Sequence, residues 1–324
     1  MELKGYYTST IGSFPLEDTN ANRERCIRDL IALGIDFPAY PQLIDMGRQF
    51  LDELVSQDCG IIYEHNRYRL AGKDINVDVK PPGLEPFLWT MRYVREKGLK
   101  VNIKAAITGP FTLSSYIEVD RGSVFLSTAL SDIRLVEQIA QIVSKVCEEV
   151  SKDSAMISID EPILGIIVGA RMAFKYSEND IRKILNGLKN SCKNAPTGIH
   201  ICGKISPKLA GILLNSDLDF LSHEFYDSPE NMKVYDPLSL KSAGKILSVG
   251  CVSSRNPRVE TTEEIFELIM KFKDYNDCLI FTPDCGFRNL IIEGSRERGY
   301  EAAIAKLRNM IEAVSKFKVL SSLN

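Results

Sequence analysis

His200 and Cys202 stand two apart in TGIHICGK (197–204), alternating with Ile199 and Ile201. In a strand that spacing turns the imidazole and the thiol to one side and the two isoleucines to the other. Imidazole and thiolate are ligands that zinc favours, although a single H-x-C is more often a pair of satisfied core residues. Two further residues of suitable type close apolar runs: Glu224 in LDFLSHE (218–224), and Cys285 just after CLIFTPD (278–284). Together His200, Cys202, Glu224 and Cys285 would offer one imidazole, two thiolates and one carboxylate, a set that zinc accepts and that leaves the site net negative. Such a site can exchange a ligand for an incoming thiol, ionising it below its ordinary pKa of about 8.5 while keeping the sulfur nucleophilic. The chemistry that needs this is alkyl transfer to sulfur.

Plainer readings stand beside each residue. Glu224 could be a surface carboxylate at a strand end and Cys285 a core thiol. His223 is the rival of Glu224 as ligand, although strand alternation points the two neighbours in opposite directions. Asp160-Glu161-Pro162 could simply end a strand, yet two acids there are costly unless they have partners.

What must position these residues is an alternation of short apolar runs and longer amphipathic ones. Eight strand candidates occur, at 8–14, 34–40, 101–108, 156–161, 198–203, 218–224, 246–252 and 278–284. Between them lie helical patterns, clearest at 131–152, with others at 178–189, 261–273 and 295–316; Ser177 and Thr261 have the character of N-caps. Eight Val/Ile-rich strands alternating with helices predict a (β/α)8 barrel. An open doubly wound sheet is the rival, but no Gly-rich turn follows the first strand. Residues 59–82 read as a β-hairpin insertion after the second strand, so the expected organisation is one barrel over 1–324 with the insertion at about 59–82. In such a barrel the C-terminal ends of the strands form the active-site mouth, where Ser13, Asp160, His200, Cys202, Glu224 and Cys285 would gather.

Composition narrows the partners. The 324 residues are 44% hydrophobic and 26% charged with a net charge of −3, which supplies no concentrated basic surface for nucleic acid or anionic membrane. No apolar run approaches the roughly 18 residues of a membrane span, and the N-terminal stretch lacks signal-peptide character. Eight scattered cysteines without a compact framework fit free thiols, and a cytoplasmic location is expected.

IGSFP (11–15), VKPP (79–82), TGP (108–110), IDEP (159–162), the H-I-C of 200–202, Glu224 and PDCG (283–286) run in order through nearly the whole chain. In that order they resemble the C-terminal half of cobalamin-independent methionine synthase, in its stand-alone, archaeal-like core form. The resemblance implies a (β/α)8 barrel and one zinc held by His200, Cys202, Glu224 and Cys285 that activates homocysteine. It also implies that Ile11, Gly12 and Ser13 hold the substrate carboxylate and Asp160 its ammonium. HICG alone is similar to the corrinoid-linked coenzyme M methyltransferases, which share His, Cys and Cys; Glu224 favours the methionine synthase side.

The departures concern the methyl donor. The family's second-strand acid is matched by Tyr40, the Trp that stacks on folate by Tyr116, the pterin-gripping glutamate by Ile166, and the proton-donating His by Arg255; the one Trp, Trp89, lies elsewhere. No catalytic residue is assigned beyond the zinc site. A methylcorrinoid expels a cobalt leaving group that needs no proton, so the expectation is methyl transfer to homocysteine from methylcobalamin or a corrinoid protein. The alternatives are a folate donor, another thiol acceptor such as coenzyme M, and a zinc-binding scaffold without activity.

Overall fold

The computed structural model describes residues 3–119, 127–169, 171–172, 174–193, 195–275 and 277–321. Among the described residues there are ten strands: β1 Gly5–Thr8, β2 Ile61–Glu64, β3 Arg67–Leu70, β4 Lys104–Thr108, β5 Ile117–Glu118, β6 Met156–Asp160, β7 Thr197–Ile201, β8 Phe220–Glu224, β9 Ile246–Gly250 and β10 Cys278–Thr282. Seven pair in parallel in the order β1-β10-β9-β8-β7-β6-β4.

The eighth stave of the (β/α)8 barrel is the predicted strand at 34–40, and it is irregular. Ser9 bridges Phe37 and Ala39 bridges Lys104, both in parallel, so this segment closes the ring between β1 and β4. Pro38 and Pro41 have no N–H to give a ladder, which breaks the strand into single bridges. Hydroxyls patch the gap: Thr10 Oγ1 accepts from Ala39 N at 3.0 Å and Ser9 Oγ donates to Phe37 O at 2.6 Å.

Register sorts the side chains. Ile157, Ile159, Ile199, Leu221, Leu247 and Phe281 pack outward in the main core beneath the helices. Facing into the barrel, Thr108, Asp160, His200, Ser222 and Ser248 stand side by side on successive strands. Phe37, Met156, Phe220, Cys278 and Ile280 form a separate small apolar cluster.

Helices Ile133–Val150, Glu178–Ser191, Thr262–Ile269 and Arg296–Ser321 occupy the amphipathic stretches. Ser177 with Asp180 and Thr261 with Glu264 form reciprocal capping boxes, each satisfying two otherwise orphaned donors. After Ile269 the chain tightens into a 3₁₀ turn over Met270–Phe272, so the α-helix is shorter than the 261–273 pattern. Within 59–82, β2 and β3 pair antiparallel around His65 and Asn66, both with positive φ, as a two-residue turn of matching twist requires. This pair follows helix Arg48–Ser56, and β3 also pairs in parallel with β5. Residues 71–82 carry no strand.

Candidate metal centre

His200 faces the barrel interior from β7, and Cys202, two residues on, keeps the same side just past the strand end. Cys285 follows β10 by three residues. The ligand atoms of His200, Cys202 and Cys285 all lie within 4.8 Å of one another. His200 Nε2 is 3.0 Å from Cys202 Sγ, and the two sulfurs are 2.6 Å apart. The opposite ring nitrogen, Nδ1, meets Ser222 Oγ at 3.1 Å, which turns Nε2 towards the sulfurs. The hydrogen bond from Cys202, opposed by burial and helped by His200, holds the Cys285 thiol well below its usual range. Three soft donors from elements 83 residues apart, one already biased to thiolate, form a set that zinc fits.

Glu224, the last residue of β8, is fully buried, and its carboxylate is taken up by two partners. Arg255 donates to Oε1 at 2.6 Å and Ser228 Oγ to Oε2 at 3.2 Å. The structure therefore brings three of the four expected ligands into one cluster, with Glu224 beside them on Arg255. His223 faces away: its Nδ1 meets Ile201 O at 3.3 Å and Nε2 meets Tyr235 Oη at 3.1 Å. Burial pushes its pKa down to about 3.

Two residues hold this geometry that the sequence reading gave no role. Asp284 accepts backbone N–H bonds from Phe225, Tyr226 and Asp227 at 3.1, 3.1 and 2.7 Å, fastening the loop after Glu224 to the residue before Cys285. Gly250 ends the strand between them, and a Cβ there would come within 2.5 Å of Asp284 Oδ1. Asn231 donates to both Gly203 O and Glu224 O, at 2.9 and 2.8 Å, tying the loops after Cys202 and Glu224 together. The adjacency of Asp284 to Cys285 was the sequence signal available for the first; Asn231, in the short 3₁₀ turn Pro229–Lys233, had none.

Asp160 ends β6 with Ser158 Oγ donating to it at 2.8 Å, and burial pushes its pKa up to about 6 against the charges of His200 and Lys104. Lys104, buried at the start of β4, is driven down to about 8 by desolvation, with Asp160 opposing the shift. A lysine inside the apolar run VNIKAAIT was its sequence signal. Ser13 lies against Gly286, where a Cβ would come within 2.0 Å of Ser13 Oγ, and Phe287 N donates to Ser13 O at 2.8 Å. The IGS segment is thus packed directly beside Cys285. Gly12 has φ +136° and Ile11 is buried.

The remaining expected contacts are engaged elsewhere. Tyr40 is buried, donating to Ala106 O at 2.8 Å and accepting from Gln42 and Gln49 at 3.1 and 2.9 Å, so its hydroxyl has no capacity left for a substrate group. Tyr116 packs its half-buried ring over Gly47. Ile166 is 68% exposed, and Trp89 stacks on Tyr93. Glu161 accepts from Phe111 N, Thr112 N and Thr112 Oγ1 at 2.9, 2.8 and 2.6 Å, so IDEP and TGP are packed on each other and the second acid has its partners.

The model of the family described as cobalamin-independent synthase, catalytic domain, matches residues 83–316. The chain belongs to that family. It is an enzyme of the methyltransferase class. The methionine synthase of Methanocaldococcus jannaschii is 27% identical, across 96% of this chain and 99% of that protein. That of Methanothermobacter marburgensis is 28% identical, across 97% and 94%. Among solved structures, the B12-independent methionine synthase from Shewanella sp. W3-18-1 aligns with TM-score 0.66 at 18% identity, covering 98% of this chain and all of that one. A putative vitamin-B12 independent methionine synthase from Listeria monocytogenes aligns with TM-score 0.70 at 14% identity, over 98% and 99%. These two likenesses bear on the fold, and both are to the expected barrel.

A family cobalamin-independent by description gives no support to the methylcorrinoid donor or corrinoid-protein partner expected from the sequence, and favours the folate alternative. The expectation leaned on Tyr116 and Ile166 standing where folate contacts were awaited and on Arg255 standing where an acid His was awaited. The structure gives Arg255 a different occupation, the ion pair with Glu224.

Proposed function

We propose that this chain moves a methyl group from a methylated reduced folate to the thiol of homocysteine, forming methionine, with zinc held by His200, Cys202, Cys285 and Glu224. The observation that carries the acceptor half is the cluster of three soft ligands at the strand ends. The family description and the methionine synthase relatives support the donor and the product. Zinc bound here supplies a Lewis acid that lowers the pKa of the incoming thiol from about 8.5.

The chain's own residues then do the orienting. Ser13 and the backbone of residues 11–13 receive the amino-acid carboxylate, beside Cys285 through Gly286. Asp160, flanking His200 on the next strand, receives the ammonium, and that charge favours its ionised form over the raised value of about 6. The thiol's proton leaves to solvent, a new S–CH₃ bond forms as the N–CH₃ bond breaks, and the departing nitrogen must gain a proton. Arg255 keeps its proton at any accessible pH, so in this reading the proton comes from solvent.

No described helix is long and apolar enough to cross a membrane. The eight free cysteines fit a reducing compartment, and we place the activity in the cytoplasm. The test incubates zinc-loaded protein and homocysteine with methyltetrahydrofolate or with methylcobalamin, and follows methionine. Methionine from the folate supports the reading. Methionine from methylcobalamin alone overturns the donor, and none from either overturns the acceptor.

A further inference from the structure

The segment between β9 and helix Thr262–Ile269 is built as a mount for one guanidinium. Ser253 Oγ accepts from Arg255 N at 3.2 Å and Asn256 N at 3.0 Å, and donates to Asp227 Oδ2 at 2.7 Å. Ser253 N donates to Glu260 Oε1 at 3.2 Å. Glu260 is paired in turn with Lys306 of the C-terminal helix at 2.7 Å, both side chains fully buried. Lys306 also donates to Arg258 O at 2.5 Å, so both ends of the turn are fixed. From this mount Arg255 reaches Glu224, its own side chain 62% exposed and that of Glu224 0%.

We propose that Arg255 is a positioning residue that competes with the metal for Glu224, holding the fourth ligand in reserve so that an incoming thiol can take its place. The proposal rests on the zinc reading above. A carboxylate with no solvent exposure cannot leave a cation without another partner, because a buried unpaired charge is strongly disfavoured. Arg255 is that partner, at a distance that makes the bond a charge-assisted one. The other oxygen has the looser contact to Ser228, so the guanidinium is the main rival for the carboxylate.

The test titrates zinc against a competing chromogenic chelator in wild type, Arg255→Ala, Glu224→Gln and the double variant. Arg255→Ala is expected to bind zinc about tenfold more tightly, at the lower end of what outer-shell partners change. That gain should vanish in the Glu224→Gln background, because the coupling belongs to the pair. Unchanged or weaker binding in Arg255→Ala overturns the proposal. So does a gain that persists with Glu224→Gln, which marks plain charge repulsion of the ion by Arg255. A wild type that takes up no stoichiometric zinc, with Cys285→Ser indistinguishable from it, overturns the zinc reading and the proposal with it. Thermal melts of all four proteins report whether each is folded, and Arg255, being mostly exposed, can be removed without opening the core.

Discussion

At the scale of single residues, the neighbours of the ligands decide how well the cluster is formed. Ser222 touches none of the sulfurs, yet its hydroxyl sets the orientation of the His200 ring. Ser222→Ala is therefore expected to weaken zinc binding by about tenfold, read by chelator competition, while leaving the melting curve nearly unchanged. His223 carries a pH signature. Its folded pKa of about 3 lies below the unfolded value of about 6.5, so both states are neutral above pH 6.5. As pH falls below 6.5 the unfolded chain takes up a proton that the folded chain refuses, and the stability contributed is lost towards pH 3. By pH 4.5 the loss from this residue is about 2–3 kcal/mol. Urea unfolding at pH 7 and 4.5 should show a smaller difference between the two pH values in His223→Gln than in wild type. Imidazole, thiol and carboxylate at strand ends could be singled out in the sequence as candidate ligands, and three of the four lie in one cluster. The ion pair of Arg255 with Glu224 was not, since it depends on the path of an irregular loop.

At the scale of elements, the buried pair of Lys306 and Glu260 staples the C-terminal helix to the loop that carries Arg255. Removing one partner leaves a fully buried charge, so Lys306→Met should cost about 3–5 kcal/mol in chemical denaturation. Glu260→Leu combined with Lys306→Met should recover part of that loss, because no charge is then left unpaired. The helices themselves were readable from their period and caps. Ser177 and Thr261 stood out as N-caps, and the structure closes a capping box at each. The buried lysine was not readable: in an amphipathic helical pattern it is one more polar position, and its partner lies 46 residues away.

At the scale of the whole molecule, seven staves are regular strands and one is a string of single bridges. The eight-fold alternation was visible because β/α periodicity is local. The irregular stave kept its place in that count because its apolar residues are those of a strand, and lost its ladder to two prolines. Hydrogen exchange followed by mass spectrometry should show amides of residues 36–42 exchanging ahead of those in β7 and β8. Equal protection across these segments would mean that the hydroxyl bonds of Ser9 and Thr10 make the eighth stave as firm as a strand.

The carboxylate of Asp284 passes the terminal glycine of β9 to grip the loop beyond Glu224, while its own backbone leads directly into Cys285. Two donors from non-adjacent staves are thereby yoked into one mechanical body. An ion held by both, as proposed, would not be shed by fraying either strand alone, because the yoke carries the second donor along with the first. Under the zinc proposal this yoke favours a long residence time for the ion, with Arg255 on its own fixed mount at the rim.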